Sequence, residues 1–143
     1  MEQKYVLTNK TRVLANGRIS HRIRAVRDII VDGEKIVSEG ELGGWVECTD
    51  NLSHDGEAWV YGDALVCDNA LVLGNAQVYG NAQVYGDAWV CRNAQVYDNA
   101  QVYGDALVCD NARVSGNARV RGNAVVSGDD RVSGNALVCG DVK

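Results

Sequence analysis

Tyrosine and glutamine side chains recur together through the middle of this sequence, two residues apart, and could contact a ligand. They are Gln77, Gln83, Gln95 and Gln101 with Tyr79, Tyr85, Tyr97 and Tyr103. Phenol rings and amides can contact a sugar or a nucleobase, and guanidinium groups can hold a phosphate. The nearby arginines are Arg113, Arg119, Arg121 and Arg131. A small anionic or sugar ligand is one interpretation; the other, which we favour, is that Tyr and Gln form ladders that stabilise strands.

Residues suited to acid–base or nucleophilic catalysis are few. The two histidines are His21 and His54, and the long stretch from Trp59 to Val142 contains neither. A general base needs a pKa near neutral, and a cysteine nucleophile needs a neighbouring base. We therefore assign no catalytic residue. The five cysteines show neither CxxC spacing nor a nearby histidine cluster, so we predict no zinc site.

Aspartates offer the one candidate for a cation site. Asp68, Asp87 and Asp105 fall near equivalent turns of a repeat, so two of their carboxylates could approach within about 5 Å and share a hard cation. The alternative is that aspartate, like asparagine at equivalent positions, is present for turn geometry. We favour turn geometry and predict no metal and no cofactor.

A six-residue repeat must position all of these side chains. From Trp59 to Val142 the sequence follows Ala-x-Val-x-(Gly/Asp)-(Asn/Asp), and the third position of every hexad from Val60 to Val138 is valine. Alternation places Ala and Val on one face and both x residues on the other. The last two residues tolerate positive φ and turn the chain. Each hexad is therefore predicted to form a four-residue strand and a corner, which together make a parallel β-solenoid.

The outward residues indicate how many sides each coil has. At a separation of eighteen residues three columns emerge, in two of which Gln lies over Gln and Tyr over Tyr. The third column is apolar: Leu71, Leu73, Trp89, Cys91, Leu107, Cys109 and Val125. We predict a three-sided coil, about five coils and roughly 25 Å of stack. An apolar strip of this size is either a subunit interface or is covered by an N-terminal segment, and we favour the interface.

The N-terminal part has a different pattern. Strand-like runs at 5–14 and 18–26 flank Asn16-Gly17, which predicts a β-hairpin. We predict that residues 1–44 form this hairpin cap and a lead-in, and that residues 45–143 form the solenoid. In the first, irregular coil, one extra residue is expected before Leu52, and His54 is expected in the slot that valine fills later. The cap would cover an otherwise open sheet edge.

Charge and composition limit the kinds of partner that this protein can have. The net charge is −5, and the middle of the chain is its most acidic part, which argues against nonspecific nucleic-acid binding. The first ten residues resemble no signal peptide, and no apolar run is long enough to cross a membrane. With five cysteines, an odd number, the sequence favours a reducing compartment. We expect a cytoplasmic protein without a membrane partner.

The hexads resemble the hexapeptide-repeat superfamily of left-handed parallel β-helices. The segments HRIRAVRD, GELGGWVE, NLS and WVYG are similar to a bacterial and prophage group labelled polymer-forming protein or acyltransferase. The resemblance implies an all-β, left-handed, three-sided helix and commonly a trimer. It also implies acyltransferase chemistry, for which the superfamily uses a histidine base between subunits and commonly an extruded loop. This sequence has no such loop in its repeat.

From these patterns we predict a non-enzymatic, oligomeric solenoid, a dimer or trimer, that acts as a binding or scaffold module. One alternative is a hexapeptide-type acyltransferase with His54 in an intersubunit groove. The other is a phage-encoded inhibitor that sequesters a host protein or a nucleotide. Residues 138–143 complete no cap, and Asp130 replaces an inward alanine, which favours a closed oligomer over a fibre.

Overall fold

The N-terminal hairpin is present as predicted. The computed structural model describes residues 3–139, in which β1 (Tyr5–Val13) pairs antiparallel with β2 (Ile19–Ala25). The turn between them uses Gly17 at φ +84°, while Asn16 Oδ1 accepts the Arg18 N–H at 2.9 Å. Glycine suits the position of Gly17 because it adopts left-handed backbone geometry without a steric cost.

A second hairpin follows that the sequence analysis treated only as lead-in. Strands β3 (Ile29–Val31) and β4 (Glu34–Val37) pair antiparallel around Asp32-Gly33, whose φ angles are +54° and +81°. Asp-Gly between two apolar runs is a signal for a tight hairpin. The signal was available in the sequence, where the segment was interpreted only as a lead-in to the repeat.

The solenoid begins at β5 (Leu42–Val46), followed by one turn of 3-10 helix at Thr49–Asn51. On one side β5 pairs antiparallel with β2, and on the other it pairs in parallel with a strand of the repeat. The hairpin therefore extends one sheet of the solenoid and covers its edge.

Fourteen short strands follow in the described part of the repeat. They are β6 (Trp59–Val60), β7 (Leu65–Val66), β8 (Leu71–Val72), β9 (Gln77–Val78), β10 (Gln83–Val84), β11 (Trp89–Val90), β12 (Gln95–Val96), β13 (Gln101–Val102), β14 (Leu107–Val108), β15 (Arg113–Val114), β16 (Arg119–Arg121), β17 (Val125–Val126), β18 (Arg131–Val132) and β19 (Leu137–Cys139). The predicted strand length of four residues is too long. The alanine N–H bonds back across the corner, as from Ala82 to Tyr79 O at 3.4 Å, so alanine donates nothing to the ladder.

These strands form three parallel sheets, as the eighteen-residue columns predict. Sheet I continues from β1, β2 and β5 through β7, β10, β13, β16 and β19; sheet II contains β8, β11, β14 and β17; sheet III contains β6, β9, β12, β15 and β18. Gln83 pairs with Gln101 in sheet I, and Trp89 pairs with Leu107 in sheet II. The all-β, three-sided β-helix with a hairpin cap is therefore confirmed.

The core is the inner column of alanine and valine. From Ala58 to Val126 these residues are at most 3% exposed, so every coil seals the one below it. Trp59, predicted to face outward, is instead buried, because Tyr5 of the hairpin packs against its ring edge-on at 6.2 Å. Asp130 holds an alanine's backbone position, and its carbonyl accepts the Arg113 N–H at 3.0 Å, but its side chain is exposed.

The first coil differs from the prediction. Leu52 bridges to Val72 and Val60 pairs with Val78, so Leu52 fills the inner slot and the two extra residues follow it. His54 lies outside the inner column, and both expectations about this coil were wrong. Asn51 explains the register, because its buried amide accepts from the Glu47 and Cys48 N–H groups and donates to Ala70 O at 2.9 Å.

Within residues 3–139 no helix has the length and apolarity needed to cross a membrane. The final residues 140–143, part of the predicted uncapped edge, lie outside the described residues.

Candidate functional site

The predicted apolar column lies on one surface, the outer face of sheet II, which we call the apolar face. It comprises Leu71, Leu73, Trp89, Cys91, Leu107, Cys109 and Val125. Trp89 is 48% exposed and Val125 60% exposed. Neither hairpin of residues 3–139 covers this face: β1 and β2 extend sheet I, whereas the tip of β3–β4 lies beside sheet III. The apolar face therefore remains open.

The thiols on and near this face are poor nucleophiles. Burial raises the pKa of Cys91 to about 11, helped by its contact with Cys109. Burial likewise raises the pKa of Cys67 to about 12, with the nearby charges of Asp68 and Glu47 acting in the same direction. A reactive cysteine needs a lowered pKa, so these side chains act as small packing residues.

The tyrosine and glutamine columns form ladders along sheets III and I. The Tyr79 hydroxyl donates to Gln95 Oε1 at 3.2 Å, and the Tyr85 hydroxyl donates to Gln101 Oε1 at 3.3 Å. Each bond joins one coil to the next, so the ladders help to hold the stack together. Burial also raises the pKa of Tyr79 and of Tyr85, so both hydroxyls stay protonated near neutral pH.

Most of the ring surface in these ladders is already in use. Tyr79 stacks on Tyr97, and Tyr85 on Tyr103, each pair with centroids 4.9 Å apart and planes within 2°. Tyr61 instead meets Tyr79 edge-on at 5.9 Å. Because the rings cover one another, a ligand would meet mainly their edges and hydroxyls.

The four arginines occupy two different sides of the solenoid. Arg113 and Arg131 are in register on sheet III, where they continue the Gln77–Gln95 column. Arg119 and Arg121 belong to sheet I, and Arg121 Nε lies 3.2 Å from Cys139 Sγ. These two pairs follow the eighteen-residue columns of the sequence, which place Arg113 with Arg131 and put Arg119 and Arg121 on another column.

A polar groove runs along sheet III beside the corner that leads into it. The groove has a volume of about 550 Å³. Its lining residues are Val31, Asp32, Asn75, Gln77, Asn93, Gln95, Asn111, Arg113, Asp129 and Arg131. The corner asparagines form their own ladder, with Asn93 Nδ2 donating to Asn111 Oδ1 at 3.4 Å. This column was not among the predicted site residues, although asparagine recurs there every eighteen residues.

The aspartates of the proposed cation site bond to neighbouring coils. Asp68 Oδ2 accepts the Gly86 N–H at 3.0 Å, and Asp87 Oδ1 accepts from Asn69 Nδ2 at 3.2 Å. Asp68 also has φ +57°, as expected for a corner residue. In the described chain no three His, Cys, Asp or Glu side chains are grouped to hold a metal ion. The geometry favours the turn interpretation.

His54 belongs to a cluster where the N-terminal strand meets the first coil. Its ring stacks on Tyr5 with centroids 4.3 Å apart, and its Nδ1 accepts the Lys4 N–H at 3.0 Å. The buried Lys4 ammonium donates to Ala58 O at 2.6 Å. Burial lowers the pKa of Lys4 to about 8, and burial together with the Lys4 charge lowers the pKa of His54.

This arrangement is poorly suited to base catalysis. A neutral imidazole has one acceptor nitrogen, and the Lys4 N–H occupies Nδ1 of His54, so the ring proton lies on Nε2. No lone pair of the neutral ring is then free for a substrate. His21 lies in the hairpin, with Nδ1 3.3 Å from Thr8 O.

Comparison with known proteins supports the repeat architecture. A family model described as YdcK Beta solenoid repeat matches residues 76–92, 94–110 and 112–128. The three matches begin eighteen residues apart, which is the length of one three-sided coil. No curated protein matches the chain. The repeat match and the fold agree on a repeat β-helix protein.

Proposed function

We propose that this protein is a non-catalytic, self-associating β-solenoid that serves as a binding or scaffold module. One observation carries the proposal: the apolar face of sheet II is open, with Trp89 48% and Val125 60% exposed. Soluble proteins seldom leave a contiguous apolar strip bare, because its contact with water is unfavourable. A second copy of the chain is the occupant we propose.

The dimensions of the strip limit the assembly. Four strands at a spacing of about 4.8 Å give a strip of several hundred Å² at most. A stable interface buries about 800 Å² per partner. The contact must therefore include corner residues beside the apolar face, as it would in a closed dimer or trimer.

Light scattering after size exclusion tests the proposal, using wild type, Trp89→Glu and Gln83→Glu. Gln83 is also exposed and occupies the same hexad position on sheet I, so its substitution adds the same charge on another face. We expect an oligomer for wild type and Gln83→Glu, and a monomer for Trp89→Glu. A wild-type monomer at micromolar concentration would contradict self-association.

The finer classification is also part of this proposal. The Ala-x-Val-x hexads support membership of the hexapeptide-repeat superfamily, and left-handed winding follows from that resemblance alone. The segments HRIRAVRD, GELGGWVE, NLS and WVYG support the bacterial and prophage group. Parallel crossover connections are generally right-handed, so left-handed coils would be a specific mark of the hexapeptide type. A crystal structure with right-handed coils would exclude the hexapeptide type. The odd number of cysteines supports a reducing, cytoplasmic location.

A second candidate function is acyl transfer, favoured by one observation. His54 lines a recess of about 410 Å³ together with Leu71 and Leu73 of the apolar face, so self-association would place it near a subunit boundary. The occupied Nδ1 argues against its use as a base. Incubation with acetyl-CoA and amine or hydroxyl acceptors distinguishes the two functions. We expect no transfer; transfer that is lost in His54→Ala would establish the enzyme.

A further inference from the structure

The polar groove on sheet III has the form of a binding site for an extended ligand. It is overhung by the tip of the β3–β4 hairpin, where Val31 and Asp32 line it. Its floor presents Gln77, Gln95, Arg113 and then Arg131, one side chain from each successive coil. At about 4.8 Å per coil these four positions span roughly 14 Å. The groove therefore suits a short linear chain more than a single compact molecule.

The amide part of the groove has donors available to a ligand. Gln95 Oε1 accepts from Tyr79, which leaves the NH₂ group of Gln95 without a partner in residues 3–139. Gln77 is held in the same way, more weakly, by Tyr61 at 3.5 Å. The asparagine ladder alongside adds carbonyl acceptors and NH₂ donors. Fixed amide donors and acceptors suit a polyhydroxylated ligand, because each sugar hydroxyl both donates and accepts a hydrogen bond.

The arginine part of the groove is suited to an anion. Arg113 and Arg131 are direct neighbours on parallel strands, and neither has an ion pair within the described chain. Like charges directly opposite each other in a sheet repel. An anion between the two guanidinium groups would remove that repulsion, and guanidinium forks bind planar carboxylates in a bidentate manner.

We propose that this groove binds a short oligosaccharide that carries a carboxylate, such as a chain of uronic acid residues. The sugar hydroxyls lie along Gln77 and Gln95, and the carboxylate lies between Arg113 and Arg131. Two carboxylates line the same groove and reduce the positive charge there: Asp129, which accepts from Asn111 Nδ2 at 3.4 Å, and Asp32 at the hairpin tip. That reduction favours a carboxylate, with one charge, over a phosphate with nearly two.

Titration calorimetry at low salt tests the site with three probes: trigalacturonate, maltotriose and galactose 6-phosphate. The variant is Arg113→Gln with Arg131→Gln, which continues the glutamine column already present at Gln77 and Gln95. The control is Arg119→Gln, an exposed arginine at the same hexad position on sheet I. We expect wild type to bind trigalacturonate about tenfold or more tightly than maltotriose. The double variant loses that preference, and Arg119→Gln keeps it.

Four outcomes overturn the proposal: no binding of trigalacturonate, equal binding of maltotriose, unchanged binding by the double variant, or tighter binding of galactose 6-phosphate. The floor of the groove lies on sheet III and the apolar face on sheet II, and the corner between them carries Asn75, Asn93 and Asn111. Titration of Trp89→Glu separates the two ideas. Trigalacturonate binding by a monomeric protein supports the groove, whatever the apolar face does.

Discussion

Asp98 accepts the backbone N–H of Gly116, one coil further along, with 3.1 Å between Oδ2 and N. Asp68 and Asp110 make the same bond to the glycines one coil above them. All three aspartates have φ between +57° and +60°, a conformation that costs a residue with a Cβ atom about 1–2 kcal/mol. A hydrogen bond to a charged group contributes about 1.5–3 kcal/mol, which offsets that cost.

Substitution of Asp98 separates the two effects. Asp98→Ala keeps the Cβ atom at positive φ but removes the acceptor, so the free energy of unfolding should fall by about 1–3 kcal/mol. Asp98→Gly removes both the acceptor and the backbone cost, so it should stay within about 1 kcal/mol of wild type. Urea denaturation measures both. Equal losses for alanine and glycine would show that the backbone cost is negligible here.

The reverse substitution applies the same argument at a glycine corner. Gly104 has φ +70°, and a Cβ atom there would lie 2.9 Å from the Gly122 nitrogen. We expect Gly104→Ala to lower the free energy of unfolding by at least about 1–2 kcal/mol. Gly104→Asp should cost less, because its carboxylate can accept the Gly122 N–H. An aspartate variant less stable than the alanine variant contradicts the proposed role of the carboxylate.

Two tyrosines of the ladder, one with a hydrogen-bonded hydroxyl and one without, can be compared by substitution. Tyr79 donates to Gln95, whereas the Tyr97 hydroxyl, below Arg113, has no hydrogen-bond partner in residues 3–139. Tyr79→Phe should therefore lower the free energy of unfolding by about 0.5–1.5 kcal/mol, and Tyr97→Phe by much less. The two rings stack on each other, so ring packing is matched between the variants. Equal effects in urea denaturation would mean that the ladder bond adds no stability.

The repeat could be predicted from sequence because each coil repeats the same local rule. Valine at every sixth residue defines an inner column, and similarity at eighteen residues defines which strands pair, as Trp89 and Leu107 do. Periodicity failed in the first coil, where Asn51 sets the register of Leu52 and the hairpin buries Trp59. The contact of Trp59 with Tyr5 joins residues about fifty positions apart, which no local pattern reports.

The candidate sites were predicted less completely than the fold. The apolar face could be read from sequence because it repeats on one column. The groove could not, since one wall comes from the β3–β4 hairpin at Val31 and Asp32. The eighteen-residue spacing also separates the four arginines into two pairs, because three-sided winding places consecutive hexads on different faces. Arg113 and Arg119, six residues apart, consequently belong to different sheets.

The lowered pKa of Lys4 predicts how the free energy of unfolding changes with pH. Its pKa, lowered to about 8 chiefly by burial, lies below the value of about 10.4 in an unfolded chain. Below pH 8 both states hold the proton; between about 8 and 10.4 only the unfolded state does. The Lys4 contribution to the free energy of unfolding therefore rises with pH across that window, by at most about 3 kcal/mol.

Groups with raised pKa values act in the opposite direction, so the Lys4 effect must be measured as a difference. Cys67 and Cys91 have raised pKa values, and the stability they contribute is lost as pH rises above about 9. Subtracting the free energy of unfolding of Lys4→Met from that of wild type removes these shared contributions. The difference should grow between pH 8 and 10.4. Lys10→Met, at an exposed lysine, is the control. A flat Lys4 difference contradicts its burial as a charged group.

His54 predicts a loss of stability in mild acid. Its pKa is lowered by burial and by the Lys4 charge, so between that value and about 6.5 the unfolded state binds a proton that the folded state refuses. The stability that His54 contributes is therefore lost as pH falls below 6.5. Protonation would also place a hydrogen on Nδ1, facing the Lys4 N–H.

The matched variant for this test is His54→Asn, whose Oδ1 can accept the Lys4 N–H without titrating. Melting temperature is followed from pH 7 to pH 5 for both proteins. The variant starts lower, because it loses the stack on Tyr5, but its melting temperature should fall less with acid. His21 and all carboxylates are common to both proteins, so they cancel in the comparison. Parallel curves would mean that His54 takes up its proton equally well in the folded and unfolded states.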